Sequence, residues 1–172
     1  MAATANWYEQ NGTATGNPAA GVETPISTIE WKNIDNATTP RASAPVLAGT
    51  NSYAKYNYLK FSGSFNQISA VKFAHTSGSL GTGIALKSKI TSNYETPSTA
   101  SLPGATDITN PTTIGSGASV LLSTTGPNGT VTSASQTTAC STQYIVTQVQ
   151  ASGAANAGDS GTVTLVVQYN EN

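Results

Sequence analysis

The sequence predicts an all-β chain: a β-sandwich, immunoglobulin-like or jelly-roll, with an extended N-terminal arm. Three observations predict it. Val163, Leu165, Val167 and Tyr169 alternate strictly with Thr162, Thr164, Val166 and Gln168, the period-2 signature of a strand with two unlike faces. Turn signals recur at short intervals from Gly63 onward, as sandwiches and barrels require. No segment places apolar residues at i, i+3, i+4 and i+7 over three turns, so no long helix is expected.

Residues 1–50 read as the arm and residues 51–172 as the sandwich domain. Pro18, Pro25, Pro40 and Pro45 punctuate the arm, and Asn11-Gly12 and Gly16-Asn17-Pro18 are turn signals. One island, Ile26–Trp31, has the alternation of a short strand with Ile29 and Trp31 as its buried pair. Asn57, Leu59 and Phe61 then alternate with Tyr58, Lys60 and Ser62, and Gly63-Ser64-Phe65-Asn66 turns the chain. In Ile68–His75, Val71 and Phe73 share a face that Ile68 misses by one residue, which predicts a β-bulge. Gly78-Ser79-Leu80-Gly81-Thr82-Gly83 reads as a hairpin loop into a strand carrying Ile84, Leu86 and Ile90. Residues 96–117, rich in Pro, Thr and Gly, read as a crossing between sheets. Val120–Leu122 is a short buried run, and Asn128-Gly129 signals a two-residue hairpin. Tyr144–Val149 is apolar on both faces, as a central strand is. The last strand is predicted to be interior, with Val163, Leu165 and Val167 buried.

Composition narrows the function classes. Charged residues make up 9% of the 172, and the formal net charge is −1. The seven basic residues run from Lys32 to Lys89 without clustering; a nucleic-acid binder needs a concentrated patch to displace counterions from phosphate, so no nucleic-acid partner is expected. No apolar run is long enough to span a bilayer as a helix, so no membrane partner is expected. Met-Ala-Ala-Thr-Ala-Asn at the start has neither the basic nor the apolar region of a secretory signal. A lone cysteine, Cys140, rules out an internal disulfide and any multi-cysteine zinc site. The chain holds 27 Thr and 20 Ser but only 30 Val, Ile, Leu and Phe together, a thin core that predicts stability completed by neighbouring subunits.

Residues that could carry chemistry resolve into bland roles. Gly158-Asp159-Ser160-Gly161 resembles the nucleophile segment of chymotrypsin-like serine proteases, and His75, Asp107 and Ser160 follow that family's order. Too few residues follow Ser160 to wall a specificity pocket, and Thr162 replaces the second motif glycine. The tetrapeptide reads as a turn into the last strand, and the chain as a non-enzyme with no catalytic residues. His75 has no second His or Cys to share a metal, and Asp35, Asp107 and Asp159 stand alone, so neither metal nor cofactor is expected. Asn11, Asn36 and Asn128 head N-x-Thr sequons, which arise by chance in so Thr-rich a chain. Tyr53, Tyr56 and Tyr58 beside Lys55 and Lys60 could stack sugars or bases, as a carbohydrate-binding or adhesin module would use them for sugars, or fill the core and an interface.

The block Asn51-Ser52-Tyr53 and Tyr58-Leu59-Lys60-Phe61-Ser62-Gly63-Ser64-Phe65-Asn66-Gln67-Ile68-Ser69-Ala70-Val71-Lys72-Phe73, the Gly78–Gly83 loop and the ending Ala157-Gly158-Asp159-Ser160-Gly161-Thr162-Val163-Thr164-Leu165 to Gln168-Tyr169-Asn170-Glu171 resemble β-sandwich virion structural proteins of tailed bacteriophages. The resemblance covers roughly residues 50–172. It implies a non-enzymatic particle component, foremost a capsid decoration (cement) protein that is made in the host cytoplasm and stabilises the head. Its partner would be the major capsid protein, and its own state a homotrimer. Tail, neck or fibre placement is also compatible. On this reading the arm reaches a neighbour, so its removal should leave the sandwich folded and weaken assembly.

Overall fold

The computed structural model describes residues 2–13, 21–130, 132–156 and 161–172. They form twelve strands: β1 (Ala3–Asn11), β2 (Val22–Ile26), β3 (Lys55–Gly63), β4 (Ile68–Gly78), β5 (Ile84–Thr91), β6 (Thr106–Asp107), β7 (Ala118–Ser119), β8 (Leu122–Ser123), β9 (Ser135–Gln136), β10 (Cys140–Thr142), β11 (Tyr144–Ala151) and β12 (Val163–Glu171). The only helical pieces among them are two short 3-10 turns, at Arg41–Ser43 and Ile114–Ser116. The larger antiparallel sheet runs β2-β1-β3-β11-β5-β6, with β10 joined to β3 and β8. The smaller runs β12-β4-β7, with β9 also on β4. Two packed sheets make the expected β-sandwich.

The core between the sheets follows from side-chain alternation. Leu59 and Phe61 of β3 and Ile145 of β11 meet Ile68, Val71 and Phe73 of β4, with Val120 and Leu122 closing one end. A satellite of Leu80, Leu86 and Val149 continues it, packed by Trp31 and Leu165. The bulge predicted in β4 is present. Two β4 residues, Ala70 and Val71, oppose the single Tyr169 between the Lys72–Gln168 and Ser69–Asn170 rungs, and Ala70 takes φ +52°. The extra residue brings Ile68 back to the core face, so Ile68, Val71 and Phe73 are all buried.

The N-terminal segment is extended, as expected, but it is held in the sheet. β1 pairs with β3 from Ala3–Gly63 through Gln10–Tyr56, and β2 pairs with β1. Ala3, Ala5 and Trp7 pack on the core. The short strand expected at Ile26–Trp31 is displaced to Val22–Ile26, and residues 27–31 are irregular; Ile29 and Trp31 are half-buried. The Gly78–Gly83 loop is not a hairpin loop. β4 belongs to the small sheet and β5 to the large one, so the loop crosses the sandwich and buries Leu80 on the way. Residues 96–117 cross back, with β6 on β5 and β7 on β4, as predicted. Asn128-Gly129 lies in a wider loop: Gly129 N–H bonds the Gly126 carbonyl at 2.9 Å, and a Leu122–Ser133 bridge closes the loop's base.

β11 is central, between β3 and β5, and its residues 144–149 are buried. β12 is not interior. Among the described residues it pairs only with β4 and forms one edge of the small sheet, with Val163, Leu165 and Val167 half-buried. Their faces match the prediction; the shielding falls short because one side of the strand is open. Leu165→Ala is therefore expected to cost about 1–2 kcal/mol, below the ~2–5 kcal/mol of a fully buried leucine. A chemical-denaturation midpoint shift equivalent to more than about 3 kcal/mol would mean that β12 is covered on its open side.

Candidate functional site

The larger sheet is covered on both faces, which decides the fate of the tyrosines. Even-numbered residues of β3 and β11 point away from the small sheet. Tyr56, Tyr58, Tyr144 and Val146 cluster there with Ala54 and Leu102, flanked by Tyr8 and Tyr94. Tyr56 and Tyr58 each meet the Tyr144 ring edge-on at 5.5 Å between centroids, and Tyr8 stacks on Tyr58 at 5.8 Å. The Tyr58 hydroxyl donates to Glu23 Oε2, and the Lys60 ammonium lies 4.6 Å from the Tyr8 ring centroid. Burial pushes the Tyr56 phenol up to about 12 and raises Tyr58, Tyr94 and Tyr144 too. Tyr56 and Tyr58 thus belong to a packed aromatic layer rather than an open sugar-stacking platform.

The loop that covers this layer is held by Gln148 of β11. Its Oε1 accepts from Leu102 N–H at 3.0 Å, and its Nε2 donates to the Ala100 and Ser52 carbonyls at 2.8 and 3.0 Å. Sequence reasoning passed over Gln148 because it lies in a strand read as having apolar groups on both faces.

The serine-protease constellation is not assembled among the described residues. His75 is buried, with Nδ1 on the Ile108 carbonyl and Nε2 on the Ser77 carbonyl, both at 2.8 Å. Both ring nitrogens are engaged with backbone, and the Asp107 carboxylate bonds elsewhere, to Lys87 Nζ at 2.8 Å and to Thr109 N–H. The Lys87 hydrogen bond, before all else, holds the Asp107 carboxyl down to about 2. Gly158, Asp159 and Ser160 lie outside the described residues. Cys140 is buried and its thiol is raised to about 11 by desolvation, a state in which the thiolate nucleophile is scarce at neutral pH. No group of three or more His, Cys, Asp and Glu able to hold a metal occurs among the described residues. None of their helices is long and apolar enough to cross a membrane. Of the sequons, Asn11 is buried in β1 and Asn36 bonds Thr39 through both its amide atoms.

Two other features stand out. The first is an open groove of about 510 Å³ at the corner where the β12 edge faces β1 and the segment after β2. Trp7, Ile26, Ile29, Leu80, Val163 and Leu165 give it apolar walls.

The second is a charged cluster inside the sandwich. β1 and β3 turn Glu9, Asn11, Lys55 and Asn57 toward the small sheet, at the end where the apolar core gives out. Glu9 is 2% exposed, Asn11 6%, and Lys55 and Asn57 0%. Lys55 Nζ bonds Glu9 Oε1 at 2.9 Å and the Asn36 carbonyl at 3.1 Å. Asn11 Nδ2 donates to the same Glu9 oxygen and to Asp35 Oδ1, each at 2.8 Å. Residues 27–50 roof the cluster: Lys32 reaches the Thr39 carbonyl at 2.7 Å, and Trp31 Nε1–H donates to Thr147 Oγ1 at 3.1 Å. Burial first, then the neighbouring Lys55, pushes the Lys32 ammonium down. Glu9 and Lys55 were not singled out as a pair by sequence reasoning. They are 46 positions apart, and only the β1–β3 register brings them together.

No protein-family model, curated protein or solved structure matches the chain.

Proposed function

We propose that this chain is a non-enzymatic structural component of a tailed-phage particle, foremost a decoration protein that binds the major capsid protein as a homotrimer and stabilises the head. The observation that carries the reading is where the resembling blocks fall. Residues 51–53 lead toward β3, residues 58–73 make most of β3, its turn and the start of β4, and residues 161–171, the described part of the ending, lead into and form β12, which pairs with β4. They build one packed unit, as a shared fold would require. The rest of the surface supports it. With so few charges, Thr- and Ser-rich faces suit an assembly held by many polar contacts. An open groove beside a strand edge that is unpaired among the described residues gives a neighbouring subunit somewhere to seat.

The expected outcome in solution is a species three times the chain mass by light scattering, and pelleting with capsids of the phage that encodes it, saturating at a fixed ratio to capsid protein. A chain that stays monomeric and remains in the supernatant sinks the decoration reading. Pelleting with tails but not heads moves the protein to tail, neck or fibre.

A further inference from the structure

The geometry points to a self-made covalent cross-link: an isopeptide bond between Lys55 Nζ and Asn11 Cγ, formed within the folded chain with Glu9 as proton carrier. Such a bond needs an amine and a carboxamide side by side, a carboxylate touching both, and exclusion of water. The β1–β3 ladder pairs Glu9 with Asn57 and Gln10 with Tyr56. Asn11 and Lys55 are the next residues along the two strands, and both side chains are buried. One oxygen, Glu9 Oε1, then accepts from Lys55 Nζ at 2.9 Å and from Asn11 Nδ2 at 2.8 Å. Nucleophile and leaving nitrogen therefore share one general acid–base.

The steps balance without any outside reagent. The Lys55 ammonium gives a proton to Glu9 along their hydrogen bond, exchanging a buried ion pair for a neutral amine and a neutral acid. The amine lone pair attacks Asn11 Cγ, forming the new C–N bond. Glu9 returns its proton to the Asn11 nitrogen, whose other hydrogen is held by Asp35 Oδ1. The old C–N bond breaks and ammonia leaves, taking up the remaining amine proton. One carboxamide and one ammonium become one secondary amide and one ammonium ion. Fixing the reactants in a dry site replaces a bimolecular encounter, a large advantage for a weak electrophile such as an amide. The unpartnered Asn57 amide gains a use here. Both its polar atoms are buried without a hydrogen bond, and it lies directly across from Glu9, where a protonated carboxyl needs an acceptor. Gly12 N–H, the group that would cyclise onto Asn11 in ordinary deamidation, is instead bonded to Asp35 Oδ2 at 2.8 Å.

Intact-mass spectrometry of the denatured full chain tests this. The expected mass is lower than the sequence mass by one ammonia, about 17 Da. Trypsin should yield one branched species joining residues 1–32 to residues 42–60, because an acylated Lys55 is no longer a cleavage site. Lys55→Arg and Glu9→Gln should each restore the full mass, and Asn11→Asp should lose water instead of ammonia. A wild-type chain at full mass, with no branched peptide, overturns the proposal even if every variant misfolds. So does a loss of ammonia that survives in Lys55→Arg, which would trace it to cyclisation at Asn11-Gly12.

Discussion

A chain lacking residues 1–26 is expected not to fold. β1 lies inside the larger sheet, between β2 and β3, so the deletion strips β3 of its ladder from Tyr56 to Gly63. It also removes Ala3, Ala5 and Trp7 from the core. Its largest single consequence is at Lys55, wholly buried and left without Glu9. Breaking a buried ion pair by removing one partner costs about 3–5 kcal/mol. Added to the lost ladder and apolar contacts, that approaches the whole ~5–15 kcal/mol by which domains are stable. Circular dichroism and the dispersion of amide resonances would show it: a random-coil spectrum and no cooperative melt. A truncated chain that melts cooperatively would mean that β3 stands alone as an edge and that the first strands are the dispensable arm the sequence suggests.

Gln148→Ala should be the costliest single substitution outside the charged cluster. The side chain is fully buried and satisfies three backbone groups on two segments, Ser52 on one and Ala100 and Leu102 on the other. Alanine leaves those groups facing apolar surroundings, at about 1–3 kcal/mol for each that water cannot reach. The expected loss is about 3–5 kcal/mol by urea denaturation, with the Leu102 amide proton exchanging at a rate set by local opening of its loop. An unchanged midpoint would show that Leu102 and the tyrosine layer hold the loop without help.

The strands legible in the sequence are those whose two faces differ chemically. Leu59 and Phe61, Val71 and Phe73, and Val163 to Tyr169 announce themselves because one face is apolar. The bulge at Ala70 was legible for the same reason, as a slip in a clear pattern. β1 escaped because its inward positions read Ala3, Ala5, Trp7, Glu9 and Asn11. Two are small and two are polar, and their meaning depends on Lys55, a partner distant in sequence. The edge position of β12 was illegible because alternation reports the faces of a strand and says nothing about its flanks. Proline was misleading in the first fifty residues: Pro25 lies on β2, which among the described residues is an edge strand, the place in a sheet where proline is tolerated.

The chain's two tryptophans, Trp7 and Trp31, both line the groove between the β12 edge and the segment after β2. One indole belongs to the large sheet and the other to the roof of the charged cluster. All long-wavelength ultraviolet emission from the protein therefore originates at one corner of the sandwich. The native chain carries its own optical gauge, free of dyes or labels. The wavelength and intensity of that light register water entering or leaving the groove.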